Sequence, residues 1–246
     1  MNENLTQLEH RLKQAYDLAA CESALKSYLE KKQFIMYSFT YYAYHPHSTN
    51  KIKYDMCSSQ FKLWHQHYLQ EQYNTLDSTL STAYHTHLPV YWDIEQQLAE
   101  AACEKEYQMR KDSVEFGTQC GLSIPIHGPH NNFAILLVVQ MRDQDCQLES
   151  TTTQHELFVA AHLYYNFIQK HLLNSVSESE SYNLSVREVQ CLQLLTQQMS
   201  LSQMATHLGL TERTINYHIQ RLNKKLGCKN KYQSLAKAIE LGLLTL

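Results

Sequence analysis

The sequence predicts an α+β chain: an α/β/α sandwich with an antiparallel sheet over residues 1–173, a linker at 174–183, and a small all-α domain of four helices at 184–246. Three observations lead there. Upstream, stretches with apolar residues at helical spacing alternate with runs rich in β-branched and aromatic residues. The segment NSVSESESYN, Asn174 to Asn183, holds four serines and two glutamates, with only Val176 and Tyr182 as large apolar groups. It cannot bury enough surface to offset the entropy of ordering it. Beyond that segment, apolar positions recur only at spacings of three and four. A chain of 246 residues is long enough for two cores, and six glycines and four prolines argue against a long disordered chain.

In chain order, the polar and amphipathic MNENLTQLEHRLKQ lacks the apolar core of a signal peptide and opens a helical pattern over about 4–32. FIMYSFTYYAY from Phe34 and KIKYDM from Lys51 read as strands. Helical patterns follow at about 59–72 and 94–115. CGLSIPI from Cys120 and NFAILLVVQ from Asn132 are two further strands, joined by the turn-rich HGPHN, and a helix at about 151–173 closes the domain. Helices outside an antiparallel sheet give the sandwich. No run approaches the roughly 18 apolar residues of a membrane span. The seven cysteines are scattered and never form C-x-x-C. That fits reduced thiols in a cytoplasmic protein, and neither a disulfide framework nor a zinc ribbon.

In the last domain, Val189, Leu192, Leu195 and Met199 mark a first helix. The second carries Met204, Ala205 and Leu208 and stops at Gly209, which tolerates the positive φ of a tight turn. Thr211 is a good N-cap for a third, with Ile215, Ile219, Leu222 and Leu226 facing inward. This is helix-turn-helix logic, in which the second helix of the pair enters a DNA major groove. Charge agrees. From Asn183 onward, eight Lys/Arg face three acids, giving +5, whereas the preceding 182 residues carry −8. A basic end on an acidic body suits a polyanion, although a solvated surface would give the same count.

The motifs S-x-R-E-x-x-x-L, M-A-x-x-L-G-L-T-x-R-T-I-x-x-H and K-K-L-G together resemble the LuxR-type helix-turn-helix domain over about 63 residues. One departure is Gln198, where that family usually has Gly near the end of the first helix. Either the helix ends differently, or Gln198 bears strain of order 1 kcal/mol. On the third helix Asn216 and Gln220 share a face with Arg213. Asn and Gln suit adenine edges, and Arg suits guanine. Arg221, Lys224 and Lys225 suit phosphates, and Tyr217 completes the DNA-binding set. His218 matches the family's helix histidine and reads as structural.

The large domain lacks the early acidic pair of a phosphorylated receiver. Its histidines include three H-x-H pairs, His45/His47, His65/His67 and His85/His87. On a helix such a pair splays by about 200°, so His65 and His67 cannot jointly chelate. The other pairs have no obvious third ligand, and no nucleophile motif or phosphate loop appears. That leaves a binding pocket. Both tryptophans and nine of seventeen tyrosines fall between Phe34 and Trp92. Trp64 and Tyr68 share a helical face, and Asp77, an acid among aromatics, requires a donor that a ligand amide could supply. Aromatics at this density also commonly form nothing more than a core.

Trp64-x3-Tyr68-x8-Asp77, then Trp92, then Gly117 and Gly121, resembles the autoinducer-binding domain of LuxR-type quorum sensors. The resemblance implies that the Trp64 indole N–H donates to a lactone carbonyl and that Asp77 accepts the ligand amide N–H. Tyr68 and Trp92 would form aromatic walls. Ser78 stands where the family often has Pro. Gln60 and Leu137 stand where it has hydroxyl contacts to the acyl carbonyl; Gln60 could still donate there, whereas Leu137 could not. The implied protein is not an enzyme and has no cofactor. It is a cytoplasmic, ligand-responsive transcription factor binding an inverted repeat of double-stranded DNA as a homodimer. An N-acyl-homoserine lactone or similar acyl amide is its signal, RNA polymerase is a further candidate partner, and no membrane is involved. The alternatives are a ligand-independent regulator and a metal-dependent lactone hydrolase.

Overall fold

The computed structural model describes residues 3–42, 52–128, 132–142, 147–175, 184–240 and 243–244. The chain divides into two compact units, the first ending at Asn174 and the second beginning at Ser175. Residues 176–183 of the expected linker lie outside the described residues.

The first unit opens with two helices where the periodicity suggests one, α1 (Glu3–Gln14) and α2 (Leu18–Lys31). The break falls at Asp17, whose backbone is extended and whose carboxylate accepts from the Ala20 N–H at 2.8 Å, capping α2. Next come β1 (Met36–Tyr42), β2 (Ile52–Cys57) and α3 (Lys62–Gln70). After them come α4 (Ser78–Tyr84), β3 (Val90–Asp93), α5 (Ile94–Ala99) and α6 (Glu104–Glu115). β4 (Thr118–His127), β5 (Phe133–Met141) and α7 (Thr151–Ser175) complete the unit. The expected helix at 94–115 is therefore two, with Asp93 capping α5 through its carboxylate. α4 and β3, of seven and four residues, are too short to show a period.

The five strands pair in the order β2-β1-β5-β4-β3, all antiparallel. β4 and β5 pair directly up to His127↔Phe133. Pro129 to Asn131 of the connecting HGPHN lie outside the described residues, as do Ala43, Tyr44 and Lys51 at the ends of the first two strand runs.

Alternation along the strands assigns the two faces. Tyr37, Phe39 and Tyr41 of β1 join Leu122, Ile124, Leu136 and Val138 in a core against α1, α2 and α7. The opposite face presents Ser38, Thr40, Ser123, Ile135, Leu137 and Val139, and it lies under α3 to α6. The first face is mostly apolar, whereas the second sets the short hydroxyl side chains Ser38, Thr40 and Ser123 among apolar and aromatic groups. That difference places the candidate site.

The second unit is α8 (Val186–Thr196), α9 (Leu201–Leu208), α10 (Glu212–Leu226) and α11 (Lys231–Glu240). Ser185 with Glu188, and Ser200 with Gln203, form reciprocal capping boxes, and Thr211 caps α10. Gly209 and Gly227, both at φ 65°, end α9 and α10 in the left-handed conformation. Gln198 adopts φ 59° after the end of α8, so this chain carries a side chain where glycine would be unstrained. Leu192, Leu194, Leu195, Met204, Ile215, Ile219, Leu222 and Leu226 are buried.

Candidate functional site

Trp64, Tyr68, Asp77, Trp92 and Leu137 all line one pocket between the hydroxyl-bearing face of the sheet and α3 to α6. α3 brings Trp64 and Tyr68 onto one face, their rings 6.3 Å apart, and Phe116 packs 5.8 Å from Trp64. No protein group takes the Trp64 indole N–H among the described residues. Trp92 lies on β3 opposite Gly121 of β4. Its ring passes so close that a Cβ on Gly121 would stand 2.1 Å from Trp92 Cζ2. Glycine is thus what lets the indole lie across β4 and donate from Nε1 to Ser123 Oγ at 3.1 Å.

Asp77 is satisfied by protein donors, which the sequence did not indicate. Its Oδ1 accepts the Thr79 N–H at 2.9 Å, capping α4, and Arg110 Nη2 at 3.0 Å. Its Oδ2 accepts the Tyr68 hydroxyl at 2.8 Å. A carboxylate has about four lone-pair positions, so room for one further donor remains. Burial, reinforced by the Asp77 charge, pushes the Tyr68 phenol well above its ordinary pKa, keeping it a neutral donor. Ser78 also uses its hydroxyl and its N–H, both donated to Glu106 Oε1; a proline could offer neither.

Arg110 is the residue that sequence reasoning missed. It lines the pocket, is 6% exposed, and faces both Asp77 and Glu106 at 3.0 and 3.3 Å. Burial opposes ionisation of Glu106, but hydrogen bonds from Ser78 and the Ala102 N–H, with the Arg110 charge, outweigh it and lower its pKa. The signal was present in α6, where Glu106, Met109, Arg110 and Ser113 are all buried at helical spacing. A stripe that is mostly polar does not register as a buried face.

Gln60 needs correction as a ligand-binding residue. A helix starting near 59 would set it one turn below Trp64, but α3 starts at Lys62 and Phe61 takes the buried direction. Gln60 is exposed, accepts the Ser59 hydroxyl at 2.9 Å, and is not among the pocket-lining residues. Leu137 sits in register between Ser38 of β1 and Ser123 of β4. Hydroxyls therefore flank the position that lacks one.

The H-x-H pairs divide as helix geometry requires. His65 bonds Asp55 at 2.7 Å and His67 bonds Asp112 at 2.9 Å. His87 meets His127 edge-on, with ring centroids 4.6 Å apart, and His45/His47 lie outside the described residues. Among the described residues no three His, Cys, Asp or Glu are grouped to hold a metal ion. No helix among them is long and apolar enough to cross a membrane.

On α10, Arg213, Asn216, Tyr217, Gln220, Arg221 and Lys224 are exposed. They form one stripe opposite Ile215, Ile219, Leu222 and Leu226. Tyr217 lies under Arg221, its hydroxyl accepting from Arg221 Nη1 at 3.2 Å. His218 is half-buried. Lys225 needs correction as a phosphate contact. It turns off the stripe and donates to Oε2 of Glu188, which is 1% exposed, at 2.6 Å. Burial opposes the charge on Glu188, but bonds from Lys225 and Ser185 outweigh that and lower its pKa.

Residues 23–167 match the family model of the Autoinducer binding domain, and residues 182–238 match that of bacterial regulatory proteins of the luxR family. The transcriptional activator protein AhyR of Aeromonas hydrophila is 27% identical over 183 residues, 74% of this chain and 70% of its own. The transcriptional activator protein LuxR of Aliivibrio fischeri is 26% identical over 203 residues, 81% of this chain and 79% of its own. The crystal structure of Escherichia coli SdiA matches with a TM-score of 0.78 at 15% identity, covering 98% of both chains. SdiA in complex with octanoyl-rac-glycerol matches with a TM-score of 0.77 at 16% identity, covering 97% of this chain and 94% of that one. At such identity the structural likeness speaks for the fold alone.

Proposed function

This chain belongs to the LuxR-type regulators that carry an autoinducer-binding domain, and on that premise we propose that an N-acyl-homoserine lactone or similar acyl compound fills its pocket. The protein then binds an inverted repeat of double-stranded DNA as a homodimer. Residues 1–173 act as the ligand-binding domain, 174–183 as linker and 184–246 as the DNA-binding domain. The observation that carries the ligand reading is the Trp64 indole N–H, a pocket-lining donor without a protein partner among the described residues. A ligand carbonyl completes it. The remaining lone pair of Asp77 accepts a ligand amide N–H, and Trp92 and Tyr68 supply the aromatic walls. The ligand complexed with SdiA, octanoyl-rac-glycerol, is likewise an acyl chain on an uncharged head.

Occupancy acts through mass action. A ligand that buries its acyl chain against the hydroxyl-bearing face of the sheet stabilises the folded form, each buried CH₂ adding up to about 0.8 kcal/mol. It shifts the population toward the DNA-competent form. The stripe on α10 is the DNA-reading surface, with Asn216 and Gln220 toward bases and Arg221 and Lys224 toward phosphates.

Trp64→Phe tests the ligand reading, because it removes the N–H and keeps an aromatic ring. Calorimetric titration with an acyl-homoserine lactone series should show affinity falling about 2- to 10-fold in the variant. Affinity should rise with chain length until the pocket is full. Equal affinities for Trp64→Phe and the parent would remove Trp64 from the contact set.

A further inference from the structure

We propose that the Tyr217 hydroxyl is a positioning group for Arg221, holding its guanidinium in place for a backbone phosphate before DNA arrives. The proposal rests on the reading of α10 as the DNA-facing helix and concerns how one cation on it is presented. Arg221 is held from two sides. Its Nη1 donates to the Tyr217 hydroxyl at 3.2 Å, and the guanidinium lies 5.8 Å from the centre of the Tyr217 ring. Its Nε stands 3.6 Å from Oε1 of Glu188, a carboxylate on α8 that is 1% exposed. Lys224, the other phosphate candidate on the same stripe, has no side-chain partner among the described residues.

The consequence is entropic. A free arginine side chain loses rotamer freedom when it docks on one phosphate, and that loss subtracts from affinity. Tyr217, one turn before Arg221, removes part of the loss in the free protein. Glu188 is the fixed end of the arrangement, since it is buried and tied to Ser185 by a capping box. Tyr217 is 52% exposed, so its ring is a surface platform and not a core side chain. Neither hold blocks the contact. A guanidinium has five N–H donors, and a single hydrogen bond engages one of them here. The remaining Nη donors keep a fork for phosphate oxygens.

The test is a double-mutant cycle on the full-length protein: the parent, Tyr217→Phe, Arg221→Ala and the double variant. Binding to a mixed-sequence DNA duplex is read by fluorescence anisotropy, with N-octanoyl-homoserine lactone at one fixed concentration. Tyr217→Phe keeps the ring and deletes only the hydroxyl. It should weaken binding about 2- to 10-fold with the salt slope unchanged, because the same phosphates are neutralised. Arg221→Ala should weaken binding and make the slope shallower. In the Arg221→Ala background, Tyr217→Phe should change affinity by less than about twofold. A loss of the same factor in both backgrounds overturns the proposal, since the hydroxyl then acts on DNA or on the fold by itself. So does a Tyr217→Phe protein that binds as tightly as the parent, and α10 remains the DNA-facing helix if Arg221→Ala still weakens binding. A parent that does not bind the duplex, or an Arg221→Ala protein with the parent's affinity and slope, overturns the phosphate reading of Arg221 as well.

Discussion

Replacing Asp77 by alanine should destabilise the unliganded protein before any question of binding arises. The carboxylate does three things in the first unit. It caps α4 through the Thr79 N–H, it accepts the Tyr68 hydroxyl, and it pairs with an Arg110 side chain that is 8% exposed. Loss of an N-cap costs about 1 kcal/mol, and a buried hydroxyl left without its acceptor costs about 1 more. Removing one partner of a buried ion pair costs about 3–5 kcal/mol. Glu106, 3.3 Å from the same guanidinium nitrogen, keeps Arg110 paired and brings that contribution to the low end or below. Neighbouring losses are not additive, so Asp77→Ala should lose about 3–4 kcal/mol. Asp77→Asn keeps an oxygen for the cap and for Arg110, and its amide can donate to Tyr68; it should lose about 1–2 kcal/mol, chiefly the charge. Equilibrium urea unfolding of the ligand-free proteins, with slopes compared to establish two-state behaviour, measures both. An alanine variant within about 1 kcal/mol of the parent, or an asparagine variant as damaged as the alanine one, would refute the three-bond account, since it rests on these magnitudes.

Gln198→Gly should stabilise the second unit by up to about 1 kcal/mol, because it relieves a side chain at φ 59°; an unchanged urea midpoint would show that the position bears no strain. Lys224→Ala should weaken binding to every DNA sequence and shallow the salt dependence by about one unit while leaving stability intact. Lys225→Ala should instead lower stability, because it removes the nearer of the two cations that pair with the buried Glu188 and leaves only Arg221 Nε at 3.6 Å; the reverse outcome would restore Lys225 to the DNA surface. Glu188 has a lowered folded-state pKa, so its contribution is complete above the unfolded carboxylate range and is lost as pH falls through the folded value. Glu188→Gln should therefore flatten the acid limb of the stability profile and lower stability at neutral pH, where the contribution of the charged group is complete.

How much of this was legible from the sequence follows from where the information resides. The strands declare themselves because β1, β4 and β5 are buried along nearly their whole length, so most of their residues are apolar or aromatic. The second unit is legible because its caps and glycines are local signals, each within three or four residues of the helix end it sets. The break at Asp17 is such a cap inside a longer periodic run, where periodicity masks it. α4 and β3 were invisible because seven and four residues complete barely two turns or pleats. At the pocket, the spacing of Trp64, Tyr68 and Asp77 was readable because local geometry on α3 and the following turn sets it. Arg110 and Thr118 reach the pocket only through tertiary packing. In KEYQMRKDS and FGTQC they look like surface and turn. Gln60 failed for the opposite reason: the resemblance alone places it in the pocket, whereas α3 starts only at Lys62 and the buried direction before it is taken by Phe61.

The central claim is that pocket occupancy and DNA binding are one linked equilibrium. DNA affinity of the full-length protein, measured by fluorescence anisotropy at fixed salt with and without a saturating pocket ligand, tests it most directly when paired with ligand affinity measured with and without DNA. Linkage requires the two ratios to be equal, since each is the same coupling free energy, typically about 1–3 kcal/mol or 5- to 150-fold. The account predicts tighter DNA binding in the presence of ligand, tighter ligand binding in the presence of DNA, and the same factor for both. Ligand binding that leaves DNA affinity unchanged would contradict it.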